Sequence, residues 1–117
     1  MPRQVSGEPY YRLTLDEAGE MYGEDDVVIV DVRRMDEYLE GHVKDAIFIT
    51  VDDILARIDE LPEDKKLLFI CAAGVRSGLA CEMAAAMGLD SERLFNIEDG
   101  TGPWIEKGLP SSTGMDA

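Results

Sequence analysis

Four short apolar runs, separated by segments with helical patterns, constrain the fold of this chain more than any other feature. The runs lie at residues 27–30, 46–49, 67–70 and 94–97 and are almost continuously apolar. Runs of this kind are typical of strands that are buried on both faces of a sheet. Because helical segments separate them, their order predicts an α/β domain in which a parallel sheet has helices on both faces.

Residues that cap or end helices define the segments between the runs. Residues 14–17 match a capping box, which predicts a helix that continues to about Tyr22 and ends at Gly23. Other elements are predicted from similar signals. They are a short strand at 11–13 and helices at 36–40, 52–58, 75–87 and 104–107.

The length and composition fit one globular domain. At 117 residues the chain can build one core, and its hydrophobic content of 45% excludes a disordered protein. Proline and glycine interrupt residues 1–9, and residues 111–117 lack a regular pattern. The predicted organisation is a flexible leader at 1–9, a single domain at 10–110 and a flexible tail at 111–117.

The net charge of -14, from 25 acidic and 11 basic residues, repels nucleic acids and anionic membranes, so neither is a predicted partner. No apolar run approaches the roughly 20 residues of a membrane helix, and the first residues lack the apolar segment of a signal peptide. Two cysteines and one histidine provide neither a disulfide framework nor the spacing of a metal site. These features predict a cytoplasmic protein whose thiols stay reduced.

Cys71 stands where the run at 67–70 ends and a short loop begins. Reactive loops lie at the carboxyl ends of strands in parallel sheets. Gly74 permits a backbone conformation that turns N–H groups toward the sulfur, and the helix that follows adds the positive end of its dipole. Such surroundings favour the thiolate, the reactive form of cysteine. The chain is therefore predicted to be an enzyme or carrier that works through Cys71.

The rest of this loop is predicted to bind substrate. Arg76 has a permanent charge and several donors suited to an anion above the thiolate, and Ser77 can cap the helix or hydrogen-bond the sulfur. Asp31 and Arg33, at the end of another run, are predicted to form a buried ion pair or a loop brace, with substrate contact as the alternative. The predicted substrate-binding residues are Ala72, Ala73, Gly74, Val75, Arg76 and Ser77.

Several motifs stand in a fixed order along the chain. They are Asp31-Val32-Arg33, Glu37-Tyr38, Gly41-His42-Val43 with Ala46, the loop at 71–76 with Ser77, and Trp104 with Gly108-Leu109-Pro110. Over most of residues 10–110 this set resembles the rhodanese-like (sulfurtransferase) domain family. The resemblance implies a three-layer domain with a five-stranded, mostly parallel sheet. It also implies that Cys71 takes a sulfane sulfur from thiosulfate or a persulfide, becomes a persulfide, and passes the sulfur to cyanide or a thiol, without metal or cofactor.

The chain departs from the family pattern at three places. Lys44-Asp45 replaces the usual Pro-Gly, and Thr50 replaces a frequent proline, which alters turns rather than chemistry. The loop interior also lacks the extra basic residues of rhodaneses that favour thiosulfate. Together with the acidic charge, this makes a small-molecule or protein persulfide an equally good candidate for the sulfur donor.

Two other functions are compatible with these residues. Relatives that act on phosphate or arsenate, like the cysteine phosphatases, have five residues between cysteine and arginine, whereas Cys71 and Arg76 are separated by four. One alternative is a relative of those phosphatases or arsenate reductases, and the other is a non-catalytic regulatory module. Self-association as a weak homodimer also stays open.

The remaining conspicuous side chains are predicted to be scaffold. His42 follows a glycine and is expected to hydrogen-bond the backbone rather than act as a general base. Cys81 lies in an alanine-rich helical segment and is expected to be packed and inert. Met83 and Met87 are expected in the core, and Trp104 is expected to cover an edge of the sheet.

Overall fold

The computed structural model describes residues 2–117, which form an α/β domain on a five-stranded parallel sheet. Met1, which was predicted to belong to the flexible leader, lies outside the described residues. The strands of the sheet are β1 (Tyr11–Leu13), β2 (Val27–Asp31), β4 (Ile47–Phe48), β5 (Lys66–Ile70) and β6 (Leu94–Ile97). The helices are α1 (Leu15–Met21), α2 (Met35–Glu40), α3 (Val75–Ala86) and α4 (Thr101–Glu106). A separate antiparallel pair consists of β3 (His42–Val43) and β7 (Ser111–Ser112).

β5 lies at the centre of the sheet, whose strand order is β1-β6-β5-β2-β4. β2 and β5 are paired along their whole length, up to Asp31 opposite Ile70. Because the strands are parallel, their carboxyl ends meet at one edge of the sheet. Asp31 therefore lies next to the point where the chain leaves β5 at Cys71.

Both faces of the sheet are covered by apolar side chains. In β2, Val30 packs into one core with Phe69, while its neighbour Ile29 packs into the opposite core with Leu68. Successive residues of a strand point to opposite faces, so a strand covered on both sides must be continuously apolar. The predicted α/β fold class is confirmed.

The capping box at the start of α1 forms as predicted. The Thr14 side-chain hydroxyl accepts a hydrogen bond from the Glu17 N–H at 3.2 Å, and the Thr14 N–H donates to Glu17 Oε1 at 2.8 Å. These two bonds satisfy N–H groups that a helix start leaves unpaired. The predicted first helix is therefore confirmed in position and in its cause.

The prediction of a helix at 52–58 is wrong. The segment contains two 3₁₀ turns, Val51–Asp53 and Ile58–Glu60, and no α-helix. Arg57 has φ -114° and ψ 18°, outside the helical range, so helical hydrogen bonding does not continue through it. The adjoining run at 46–49 also contributes less than predicted, since only two of its residues form the half-buried strand β4.

Of the two methionines predicted to lie in the core, Met83 packs at the margin of the core, whereas Met87 is 50% exposed, so the prediction is wrong for Met87. Val75, the first residue of α3, is 80% exposed. The buried residues of α3 are small: Ser77, Gly78, Ala80, Cys81 and Ala84. Small side chains let the helix backbone approach the sheet closely, which a pattern based on hydrophobicity alone does not reveal.

The two terminal segments form regular contacts that the sequence did not predict. Residues 111–112, which were predicted to belong to the flexible tail, form β7. In the pairing of β7 with β3, Ser112 lies opposite His42. At the other end, Arg3 and Arg12 exchange backbone hydrogen bonds in an antiparallel bridge. Both predicted flexible segments thus contain residues that pair with the domain.

Trp104 is a core residue rather than a cover for an edge of the sheet. Its side chain has no exposed surface and packs with Leu13 and Leu68. The indole N–H donates to the Pro110 carbonyl oxygen at 2.8 Å, which satisfies its one polar group.

Among the described residues, no helix has the length and apolar composition needed to cross a membrane.

Candidate functional site

Cys71 begins the loop between β5 and α3. We call residues 71–76, which comprise this loop and the first two residues of α3, the Cys71 loop. Gly74 adopts the left-handed conformation with φ 88°, as its type permits, and its N–H donates to Cys71 Sγ at 3.1 Å. A Cβ at residue 74 would lie 2.9 Å from the Glu98 carbonyl oxygen, so a side chain is excluded there. The loop therefore turns its backbone toward the sulfur in the predicted way.

The surroundings of Cys71 favour the thiolate although the side chain is only 1% exposed. Burial by itself raises the pKa of the thiol. The Ser77 hydroxyl, 3.3 Å from the sulfur, and the N–H groups of Ser77, Ala73 and Gly74 outweigh burial and hold the pKa below its usual value. A thiol pKa lowered in this way is typical of reactive cysteines.

Asn96, in the middle of β6, connects the residues around the sulfur. Its Nδ2 donates to the Gly74 carbonyl oxygen at 3.0 Å, and its Oδ1 accepts from the Ser77 hydroxyl at 2.5 Å. Ser77 has one proton for two acceptors. When Cys71 ionises, its negative sulfur becomes the stronger acceptor for that proton. Asn96 was not among the predicted site residues, although one amide within a buried apolar strand is a usable signal.

The start of the Cys71 loop is held by the start of α4. The Thr101 N–H and hydroxyl both donate to the Cys71 carbonyl oxygen, at 2.9 and 3.2 Å. Gly100, with φ 88° and ψ -176°, passes so close to the Ala72 carbonyl that any side chain would overlap it. Neither Gly100 nor Thr101 was among the predicted site residues.

Arg76 is held by a carboxylate in this structure. Its Nη1 and Nη2 donate to Glu37 Oε1 and Oε2 of α2 at 2.6 and 2.9 Å. The bidentate bond to Arg76 lowers the pKa of Glu37 to about 2, so the pair is charged at neutral pH. The predicted anion-binding guanidinium thus has an intramolecular anion beside it.

The buried ion pair predicted between Asp31 and Arg33 is confirmed. Arg33 Nη2 lies 2.7 Å from Asp31 Oδ2 and also donates to the Gly41 carbonyl oxygen at 2.7 Å. Asp31 is fully buried, so its carboxylate requires this partner. The pair holds the end of β2 to the turn after α2.

The remaining loop residues and the other candidate side chains are placed as follows. Ala72, Ala73 and Val75 are exposed at the mouth of the loop.

His42 is buried, with Nδ1 2.9 Å from the Tyr38 carbonyl oxygen, in agreement with its predicted scaffold role. Cys81 has no exposed surface, and burial raises the pKa of its thiol well above the usual value. Among residues 2–117, no group of acidic, histidine or cysteine side chains could hold a metal ion.

The model of the family described as "Rhodanese-like domain" matches residues 14–107. The chain belongs to this family. A sulfurtransferase of Allochromatium vinosum is 33% identical over 86 residues, which cover 74% of this chain and 78% of that protein. The thiosulfate sulfurtransferase GlpE of Actinobacillus pleuropneumoniae is 24% identical over 91% of this chain and 96% of its own.

A solved structure shares the fold of this chain. A Rhodopseudomonas palustris protein of unknown function, described as a possible tyrosine phosphatase, is 30% identical and has a TM-score of 0.75. The match covers 96% of this rhodanese-like domain and 99% of that chain. The match to the family model confirms the resemblance stated from the motifs, and the structural comparison confirms the fold.

Removing the Ser77 hydroxyl should slow the reaction of Cys71 with an alkylating agent. Ser77→Ala deletes one group that lowers the thiol pKa, so less thiolate exists at pH 7 and the pH midpoint of alkylation moves up. One hydrogen bond of about 0.5–1.5 kcal/mol corresponds to an alkylation rate about two- to twelve-fold lower at pH 7. Iodoacetamide kinetics between pH 5 and about 10 measure the profile.

The control for this variant is Ser91→Ala, which removes a hydroxyl in the 3₁₀ turn before β6, at the opposite end of the sheet. Its profile should match that of the unsubstituted rhodanese-like domain. At high pH, where the thiol is fully ionised, the alkylation rate of Ser77→Ala should also approach that of the unsubstituted protein. A midpoint at lower pH in Ser77→Ala would contradict the assigned role of Ser77.

Proposed function

We propose that this protein is a sulfurtransferase that carries a sulfane sulfur on Cys71. The observation that carries the proposal is the loop geometry, in which the Gly74 N–H points at Cys71 Sγ from 3.1 Å and holds the thiolate at the end of β5. Sulfurtransferase relatives of the same family support this reaction class. The thiolate is the nucleophile, and the N–H groups of the loop stabilise negative charge on sulfur.

The transfer has two half-reactions. The Cys71 thiolate attacks the outer sulfur of the donor, a new S–S bond forms, and the old bond breaks with its electron pair on the leaving group. With thiosulfate the leaving group is sulfite, and with an alkyl persulfide it is a thiolate. The resulting persulfide gives its outer sulfur to cyanide or a thiol, which regenerates Cys71 without any net oxidation.

The Cys71 loop also stabilises the intermediate in this proposal. The terminal sulfur of a persulfide carries the negative charge and extends beyond the buried Cys71 Sγ. The N–H groups of Ala73, Gly74 and Ser77, which hydrogen-bond Cys71 Sγ, would stabilise this negative charge. Small, exposed side chains at Ala72 and Ala73 leave the space beyond the sulfur open to a donor or an acceptor. Neither a metal nor an organic cofactor takes part.

Two observations favour sulfur transfer over phosphate ester hydrolysis, the activity in the description of the Rhodopseudomonas palustris neighbour. Only four residues separate Cys71 and Arg76, which gives a smaller ring of N–H groups than the loops that surround a tetrahedral oxyanion. In addition, the Arg76 guanidinium is engaged by Glu37 on both of its terminal nitrogens. A single sulfur atom fits these surroundings better than a phosphate group.

The experiment is intact-mass spectrometry after incubation with thiosulfate or with methanethiosulfonate, a monoanion with the same transferable sulfur. We expect a gain of one sulfur mass that a reducing thiol removes, with peptide mapping to Cys71. Cys81→Ala, which alters the inert cysteine in a helix already rich in alanine, should gain the same mass. No adduct from either donor would overturn the proposal and favour the non-catalytic regulatory module.

A further inference from the structure

Charge compensation around the Cys71 loop limits which donors the site can use. Arg76 is the one cationic side chain of the loop itself, and the Glu37 carboxylate binds it through two hydrogen bonds. A guanidinium with a bidentate carboxylate has donated its best-aligned N–H groups and has its charge neutralised locally. An incoming anion at Cys71 therefore meets an ion pair and not a free cation.

The neighbouring cations are compensated in the same way. The charge of Arg34 acts on Arg76. Arg34 Nε lies 3.1 Å from Asp36 Oδ1, and Arg34 Nη1 lies 3.9 Å from Glu37 Oε1. Arg33 is bound to Asp31. Three positive and three negative side chains thus lie together on this side of the loop. They are Arg33, Arg34 and Arg76, with Asp31, Asp36 and Glu37.

The two clefts that border the site have no surplus of positive charge. A cleft of about 290 Å³ is lined by Glu37 and Glu40 with the ion-paired Arg33. The cleft on the other side of the loop, about 650 Å³, is lined by Glu82 and Glu98 with Arg12, which is itself bound by Glu8 and Glu98. Two acidic residues and one basic residue line each cleft.

Cations without a carboxylate partner lie away from the Cys71 loop, and Lys44 lines a cleft with Val27 and Val28 at the start of β2. Within residues 2–117, Lys44, Lys65 and Arg93 form no ion pair. Lys65 and Arg93 precede β5 and β6, whereas Cys71 follows β5, so they lie at the opposite end of the parallel sheet. A five-residue strand separates them from the sulfur by on the order of 16 Å, beyond the roughly 8–10 Å over which charge acts in physiological salt.

We infer that the site takes its sulfur from donors with a single negative charge, the class of alkyl persulfides and thiosulfonates, and that Glu37 is the residue that disfavours the thiosulfate dianion. The inference rests on the proposed sulfur transfer. The attacking Cys71 thiolate already adds one negative charge to a balanced site. A dianion adds two more, and Glu37 cancels the one side chain placed to offset them. Glu37 acts through Arg76, so it is a positioning residue and not a catalytic one.

The test compares two donors that differ by one charge. Methanethiosulfonate has a methyl group where thiosulfate has a charged oxygen, and both transfer the outer sulfur with departure of a sulfur oxyanion. With cyanide as the acceptor in a double-displacement reaction, kcat/KM for the donor reports only the first half-reaction. The measured quantity is the ratio of kcat/KM for thiosulfate to that for methanethiosulfonate.

Glu37→Gln removes the charge and preserves the local structure. Glu37 Oε1 accepts from the Arg34 N–H at 3.1 Å as part of the capping at the start of α2, and glutamine performs the same capping. We expect the donor ratio to rise about five- to ten-fold, the effect of about 1–1.4 kcal/mol in favour of the more highly charged donor. Added salt should raise the ratio in the unsubstituted protein and change it less in Glu37→Gln.

Glu63→Gln makes the same change in net charge on the exposed segment before β5 and should leave the ratio unchanged. An unchanged ratio in Glu37→Gln, with both donors still loading Cys71, overturns the inference and leaves the proposed function intact. If neither donor loads the unsubstituted protein, the proposed function is overturned and this inference with it.

Discussion

Replacing Cys71 with serine should lower sulfur transfer by about a thousand-fold or more, because the substitution removes the nucleophile. The Gly74 N–H and the Ser77 hydroxyl both hydrogen-bond the sulfur that the substitution removes. A serine hydroxyl ionises far above neutral pH and cannot form a persulfide, so the mass adduct should also disappear. The rate of thiocyanate formation from methanethiosulfonate and cyanide measures the effect.

The loss should occur without unfolding. Serine keeps a hydrogen-bonding atom beside Ser77 and Gly74, so the free energy of unfolding should change by only about 1 kcal/mol. Urea denaturation of the variant checks this. Blocking Cys71 with iodoacetamide in the unsubstituted protein provides the same test without a change in sequence, and Cys81→Ala should keep its activity. Full activity in Cys71→Ser would refute the proposed nucleophile.

Gly100→Ala should destabilise the protein by about 3 kcal/mol and disturb the site with it. Gly100 combines φ 88° with ψ -176°, a conformation almost restricted to glycine. An added Cβ would overlap the Ala72 carbonyl group and lie 3.0 Å from the Cys71 carbonyl oxygen. To relieve the overlap, the start of the Cys71 loop must move away from α4, which also weakens the two hydrogen bonds from Thr101.

Gly88→Ala is the matched control for Gly100→Ala. Gly88 also has a left-handed conformation, φ 95°, but a Cβ there would meet no atom within 4 Å. Its substitution should cost about 1 kcal/mol from the backbone alone and leave the reactivity of Cys71 unchanged. Denaturant midpoints and iodoacetamide rates should therefore separate the two variants. Equal effects would show that the close approach of Gly100 to Ala72 does not matter.

The fold could be predicted where one short-range signal determines the structure. β2, β5 and β6 are buried on both faces, so their apolar runs identify them, and the capping box identifies α1. The predictions were wrong where tertiary packing decides. The buried face of α3 is made of small residues because the helix lies close to the sheet. β7 exists because β3 provides a partner that is far away in sequence.

The candidate site could be predicted only as far as it is continuous in sequence. The Cys71 loop and Gly74 were identified because strand, cysteine, glycine and helix follow one another. Asn96, Thr101 and Glu37 reach the loop from three other elements. The contact between Arg76 and Glu37 spans 39 residues, and nothing in either residue's local sequence specifies the other. The charge balance of the site therefore required the structure.

The distribution of strand lengths has a consequence for how copies of this protein meet in concentrated solution. The sheet ends in strands of three and two residues, β1 and β4, while its five-residue strands lie inside. On the β1 side, Arg3 already forms an antiparallel bridge with Arg12, and charged side chains surround it. The β4 edge is short, and the β1 edge is short, charged and partly occupied, so both give a neighbouring chain little free backbone to extend the sheet. This arrangement opposes aggregation by edge-to-edge strand addition.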